Sequence, residues 1–328
     1  MARPLMDGYG RQVHDLRISV TDRCNFRCRY CMPHEEMQWL PRAEILTFEE
    51  IERVAGIFVS SFGLSSVRLT GGEPTSRAHL VGLVRRLAQY PLELSMTTNG
   101  ATLDRLAPGL REAGLDRVTI SIDSLRPERF ATITGRDLLP LVLRGVDAAI
   151  SCGLAPVKVN TVLVRGFNDD EIVDLARYGR DKGVEVRFIE FMPLDGAGEW
   201  SSGRVVSAAE IVECIASVYP VEEAPGRGAA PARRYSYTDG RGSFGVIASV
   251  TQPFCGDCDR VRLTAEGQLR SCLFAVKEAD LRSLLRGGAT DSEIASAIEA
   301  EVAAKWAGHA IGQVNFVRPA RSMSQIGG

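Results

Sequence analysis

The sequence predicts an α/β fold: an incomplete (β/α)6 barrel followed by a C-terminal α+β extension. Three observations carry this. Short runs rich in Val, Ile and Thr alternate with helical patterns from residue 16 to 195. Such alternation argues for a parallel sheet with helices outside it. The units number six, too few for the eight-unit TIM barrel, so a shorter TIM-like relative is expected. Past residue 195 the alternation stops, and Gly-rich polar sequence leads into mixed patterns. We place the division at 1–200 for the partial barrel and 201–328 for the extension.

The strand-like runs are 16–20, 66–70, 93–97, 117–122, 157–164 and 185–191. Thr47 with Glu50 three residues on is a capping-box signature for a helix running towards Phe62. Helical patterns also cover 77–89, 103–113 and 138–151. Another opens at Asn168 with Glu171, and puts Ile172, Leu175 and Ala176 on one face. In the extension, Ser207 and Glu210 repeat the capping box, and 221–234 (VEEAPGRGAAPARR) reads as a mobile loop. Strand-like segments at 234–238 and 243–250, helices at 277–286 and 291–305, and a polar tail complete the chain.

Composition excludes several function classes. At 328 residues and 45% hydrophobic, the chain can bury a sizeable core. A net charge of −2 gives no basic field for nucleic acid. No apolar run reaches the ~18 residues of a membrane span. The first ten residues lack a signal peptide's apolar stretch, so a cytoplasmic protein is expected. Eight cysteines in a reducing compartment point to metal or redox chemistry. Cys152 and Cys214 stand alone in helical patterns and read as small packed residues.

The other six form two groups. Cys24, Cys28 and Cys31 have the spacing C-x3-C-x2-C, just after the first strand, where barrel enzymes keep their active sites. Three thiolates can hold three corners of a four-iron cube and leave the fourth iron open. A zinc site completed by His34 is the alternative. Cys255, Cys258 and Cys272 give C-x2-C-x13-C, with His309 as the candidate fourth ligand if the metal were zinc. Thr70-Gly71-Gly72-Glu73-Pro74 ends the second strand, and its glycines allow a close backbone approach to a ligand.

Cations inside strands are a further clue. Arg17, Arg68, Lys158 and Arg187 sit within predicted strands, and Arg260 and Arg262 follow Cys258. A buried cation is costly unless it meets an anion, so six together argue for a polyanionic ligand. No G-x4-G-K-[ST] occurs, so scattered side chains would hold its phosphates.

The first cysteine motif, with Tyr30 before its last cysteine, resembles the signature of radical S-adenosylmethionine (SAM) enzymes. The full set resembles the GTP 3′,8-cyclase family, which opens molybdenum-cofactor biosynthesis. It comprises Arg68-Leu-Thr-Gly-Gly-Glu-Pro74, Thr97-Thr-Asn-Gly100, Lys158-Val-Asn160, Arg187-Phe-Ile-Glu-Phe-Met192, Phe254-Cys-x2-Cys-x-Arg-x-Arg262, Cys272-Leu-Phe274 and Gly327-Gly328. That resemblance implies two [4Fe–4S] clusters, with SAM on the first and guanine on the second. It implies SAM contacts at Tyr30, Gly72, Glu73, Ser121 and Met192. It implies GTP contacts at Arg17, Arg68, Thr97, Lys158, Arg260, Val261 and Arg262. Arg187, Arg260, Arg262, Gly327 and Gly328 are the implied catalytic set, the two glycines threading into the site. The implied product is (8S)-3′,8-cyclo-7,8-dihydroguanosine 5′-triphosphate. The implied partners are a flavodoxin- or ferredoxin-like electron donor and a downstream cyclic pyranopterin monophosphate synthase. A homodimer is one state the sequence allows.

Overall fold

The Val/Ile/Thr runs become six strands: β1 Asp15–Ser19, β2 Ser66–Thr70, β3 Glu93–Thr98, β4 Arg117–Ser121, β5 Lys158–Leu163 and β6 Glu185–Glu190. They lie side by side in chain order, each parallel to the next. This is a computed structural model, and it describes residues 2–32, 38–194, 198–311, 316–319 and 321–327. Helices connect the strands: α1 Phe48–Phe62, α2 Leu80–Leu87, α3 Leu103–Glu112, α4 Pro127–Thr134, α5 Leu139–Ser151 and α6 Ile172–Lys182. Their apolar faces join the strand residues in one large core. The capping box at Thr47 and Glu50 forms, and α1 stops at Gly63 in the left-handed conformation.

Two local expectations change. Asn168 and Glu171 do not cap a helix, which starts at Ile172. Asn168 instead accepts from the Val164 N–H at 2.8 Å and donates to the carbonyls of Asp123 and Val162. Fully buried Glu171 accepts from Ser124 Oγ and the Leu125 N–H. The pair thus ties the loop after β4 to the loop after β5. Helix α4 was not expected. It opens on Pro127 and closes on left-handed Gly135.

The extension supplies α7 Ala208–Ala216, β7 Val221–Glu223, β8 Arg233–Tyr237, β9 Ser243–Ile247, β10 Arg260–Leu263, β11 Gln268–Arg270 and β12 Ala279–Asp280. Helices α8 Leu281–Arg286, α9 Asp291–Ala303 and α10 Met323–Ile326 follow. The Ser207–Glu210 capping box forms as expected. The strands build no separate sheet. β10 pairs in parallel with β1 and β9 in parallel with β6, so the extension lengthens the barrel sheet at both edges. The order is β12-β11-β10-β1-β2-β3-β4-β5-β6-β9-β8-β7. The segment expected as a loop from 221 begins with strand, since Val221–Glu223 pairs antiparallel with 235–237.

Candidate active site

A cavity of about 580 Å³ runs through the barrel, and all six grouped cysteines line it. Cys24 follows β1, whereas Cys258 precedes β10, which runs parallel to β1. The two cysteine groups therefore lie at opposite ends of the same strands. A five-residue strand spans roughly 17 Å, which sets the scale of their separation.

The first group sits on a loop pinned from outside by α4. Arg27 N–H donates to Thr134 O at 2.8 Å, Arg29 N–H donates to Ile133 O at 3.0 Å, and Phe26 packs edge-on against Phe130. From inside, Gly72 N–H donates to Thr21 O and Glu73 N–H to Arg23 O, both at 2.8 Å. A Cβ on Gly71 or Gly72 would collide with the carbonyls of Thr21 or Arg23. The two glycines thus admit the backbone leading to Cys24, and both also line the cavity. Glu73 faces its neighbours: its carboxylate accepts from Thr98 Oγ1 and Asn99 N–H, both 2.7 Å, and from Thr75. Tyr30 donates to Asp123 at 2.6 Å, and burial pushes the Asp123 carboxyl up to about 6. Ser121 and Met192 line the cavity. Burial raises the thiols, Cys24 to about 11 and Cys31 to about 12, so cluster binding there would release protons.

The second group is electrostatically different. Burial opposes ionisation of Cys258, but Arg260 and Lys305 prevail and bring its thiol down to about 7. Arg260 donates to Cys258 Sγ at 3.4 Å. His309 lies beside Phe274, and its Nδ1 accepts from the Ile311 N–H at 3.4 Å. Among the described residues, no three His, Cys, Asp or Glu side chains close on a single-ion position. Thiolates at three corners of a cube stand farther apart than ligands of a single ion. His34 lies outside the described residues.

Strand register aligns the cations. Arg262, Arg17 and Arg68 are direct partners across β10, β1 and β2, so their side chains share one face, and all three line the cavity. Burial lowers Arg17 and Arg68 to about 10, still charged at neutral pH. Arg68 Nε and Arg260 Nε are buried without a hydrogen-bond partner among the described residues, and Arg17 Nε has only Asp15 at 3.6 Å. Orphaned guanidinium donors facing a cavity fit an anionic ligand. Lys158, Thr97 and Arg187 line the same space, with Arg187 bonded to Glu185 at 2.6 Å. Val261 is the exception: its side chain is fully buried in the core, between two cavity-facing arginines on an alternating strand. Only its main chain can meet a ligand. Arg117, at the start of β4, joins the cluster and was not anticipated.

The tail enters the barrel. Ser324 sits against the Cys31 thiol, and Gly327 O accepts from Arg262. Gly327 has φ +88°, and a Cβ there would overlap Ser19 Oγ and lie 2.7 Å from Thr70 Oγ1. Gly328 lies outside the described residues.

A partial parallel barrel with C-x3-C-x2-C at the end of its first strand is the architecture of a radical SAM enzyme, and residues 18–179 match the Radical SAM superfamily. Residues 184–311 match the Molybdenum Cofactor Synthesis C family. The chain is 49% identical to a GTP 3′,8-cyclase of Streptomyces coelicolor, over 100% of this chain and 97% of that one. It is 48% identical to a GTP 3′,8-cyclase of Acidothermus cellulolyticus, over 93% and 86% of the two chains. It is 47% identical to GTP 3′,8-cyclase 2 of Mycobacterium tuberculosis, over 99% and 92%. The chain belongs to the GTP 3′,8-cyclase family. In fold alone it resembles SuiB of Streptococcus suis bound to SAM, with a TM-score of 0.57 at 13% identity over 86% of this chain and 67% of that one. No described helix is long and apolar enough to cross a membrane.

Proposed function

We propose that the chain cyclises GTP to 3′,8-cyclo-7,8-dihydro-GTP by joining ribose C3′ to guanine C8. The observation that carries this is the in-register row Arg262–Arg17–Arg68, which lies between two cysteine groups in one cavity. Cys24, Cys28 and Cys31 would hold the cluster that binds SAM. Cys255, Cys258 and Cys272 would hold a second [4Fe–4S] cluster. When bound, the first cluster and SAM supply a 5′-deoxyadenosyl radical that removes the ribose 3′ hydrogen.

The chain's own residues bind, orient and enclose. Arg17, Arg68, Arg260, Lys158 and Thr97 hold the triphosphate end. Arg262 holds the Gly327 carbonyl and through it the tail. Glu73 fixes Thr98 and Asn99, and Asp123 fixes Tyr30, so the rim around the first group is rigid. Clamping C3′ near C8 while excluding water is the catalytic contribution of such a cavity. The setting is cytoplasmic, with a one-electron donor of flavodoxin or ferredoxin type and a downstream cyclic pyranopterin monophosphate synthase. The test is anaerobic incubation with SAM, a reductant and GTP, with mass analysis of the nucleotide. Unchanged GTP beside an intact first cluster would overturn the proposal.

Lys158 gives the binding step a pH signature. Burial, then Arg187, lowers its ammonium to about 7 in the free protein, with Glu185 opposing and Arg117 and Arg68 adding to the fall. Above pH 7 the free protein therefore carries Lys158 largely neutral, and a triphosphate restores its proton. GTP binding is expected to take up protons between about pH 7 and 9, and to weaken as pH rises through that window. Below pH 7 Lys158 is already charged and the uptake fades. Calorimetry in buffers of differing ionisation heat reads it directly, and Lys158→Arg should remove it. Equal uptake in that variant would assign the proton elsewhere.

A further inference from the structure

Lys305 is one of four lysines in the chain and the most completely buried of those described, at 3% exposure. It lies just beyond α9, in sequence that shows no ligand-binding pattern. Its ammonium has three donors, and all are engaged. Nζ donates to Cys258 O at 2.9 Å, to Arg260 O at 2.9 Å and approaches Cys258 Sγ at 3.6 Å. A buried ammonium needs an anion to offset its desolvation, and two carbonyls supply none. The nearest group able to be negative is the Cys258 sulfur.

The surroundings hold Lys305 in place. Arg11, itself buried and ion-paired to Asp7 at 2.5 Å, donates to Trp306 O at 2.5 Å, Ala307 O at 2.8 Å and Cys255 O at 2.5 Å. The segment 305–307 is thereby strapped to both ends of the Cys255–Cys258 turn. Among the described residues, no lysine or arginine hydrogen-bonds to a sulfur of the first cysteine group. Cys24 Sγ accepts from the Phe26 N–H and the Asn99 amide, both neutral donors.

We propose that Lys305 is a positioning residue of the second cysteine group: it fixes Cys258 by its carbonyl and sulfur, and raises the reduction potential of the cluster held there. The proposal rests on the reading that Cys255, Cys258 and Cys272 hold a cluster. Hydrogen bonds and positive charge at a cysteine sulfur stabilise the reduced cluster, which carries one more negative charge. Arg260 acts on the same sulfur, so Lys305 supplies part of the effect.

The test uses full-length protein in which Cys24, Cys28 and Cys31 are alanine, so that any iron reports the second group alone. Three forms are reconstituted anaerobically: Lys305, Lys305→Met and Lys305→Arg. Iron is counted, and the potential is followed by electron paramagnetic resonance. We expect Lys305→Met to disfavour reduction about tenfold, a negative shift of about 59 mV for one electron. Lys305→Arg should recover most of it. Loss of iron from the methionine form, restored by arginine, also supports the positioning role. If Lys305→Met does not fold, Lys305→Gln keeps a donor without the charge and carries the same comparison. An unshifted potential with full iron in the uncharged forms overturns the proposal. An iron-free Lys305 form would instead overturn the cluster reading.

Discussion

Cys28→Ala is expected to abolish SAM cleavage while leaving a folded chain. The Cys28 carbonyl accepts from the N–H groups of Cys31 and Met32, both at 2.8 Å, and alanine keeps both bonds. Cys28 lines the cavity at the margin of the core, and alanine keeps its Cβ contacts. Burial, reinforced by Cys31 and Asp123, holds this thiol well above its usual range, so without a metal it is neutral. Its removal costs the fold little and the cluster one of three protein ligands. Two remaining thiolates do not retain a cube whose fourth iron must stay open. Cys258→Ala should behave differently, because it lies at the other end of the strands. There SAM cleavage should persist without cyclised GTP. The measurements are iron per chain and yield of 5′-deoxyadenosine under anaerobic reduction. Cleavage at the normal rate by Cys28→Ala would remove the first group from the mechanism.

How much of this was legible in the sequence depends on where the determinants lie. The six barrel strands read correctly because each is a short run with an apolar face in the core, bounded by turn or helix signals. Strands β9 and β10, which flank the six, did not read as barrel members. Their partners β6 and β1 are remote in sequence, and pairing over such distances leaves no local trace. Asn168 and Glu171 matched a capping box in type and spacing, yet tertiary demand for buried acceptors turned them inward. Gly71 and Gly72 line the cavity as expected of a ligand-facing turn, but their packing against the chain's own 21–23 segment was not legible. The cations were found individually, as costly charges in strands. That three of them stand in one row follows from register, which sequence alone does not give. Lys305 and Arg117 escaped because neither interrupts an apolar run with a charge. One lies past a helix end and the other opens a strand.

Gly327→Val is expected to remove cyclised product while sparing iron content and overall stability. Gly327 occupies a left-handed conformation that costs a β-branched residue roughly 1–2 kcal/mol even in free space. Space is absent as well. Its Cβ would overlap Ser19 Oγ and press on Thr70 Oγ1, and both hydroxyls belong to buried strand ends that cannot retreat. The tail must therefore leave. Leaving costs the fold little, because the tail's large apolar anchor among the described residues is Ile326, in a small cluster with Leu194, Phe274 and Ile311 that is separate from the main core. It costs the site more. Arg262 loses the Gly327 carbonyl as a partner, and Ser324 withdraws from Cys31. Both changes loosen the floor and wall against which C3′ and C8 are brought together. Misplacement of about 1 Å is enough for a loss on the order of 100-fold in rate. Deleting the last two glycines should do the same, whereas alanine at exposed Gln325 should not. Anaerobic turnover of the three variants beside the unaltered chain, with iron and thermal unfolding measured in each, decides it. Normal product from Gly327→Val would mean that the tail does not position the reacting nucleotide.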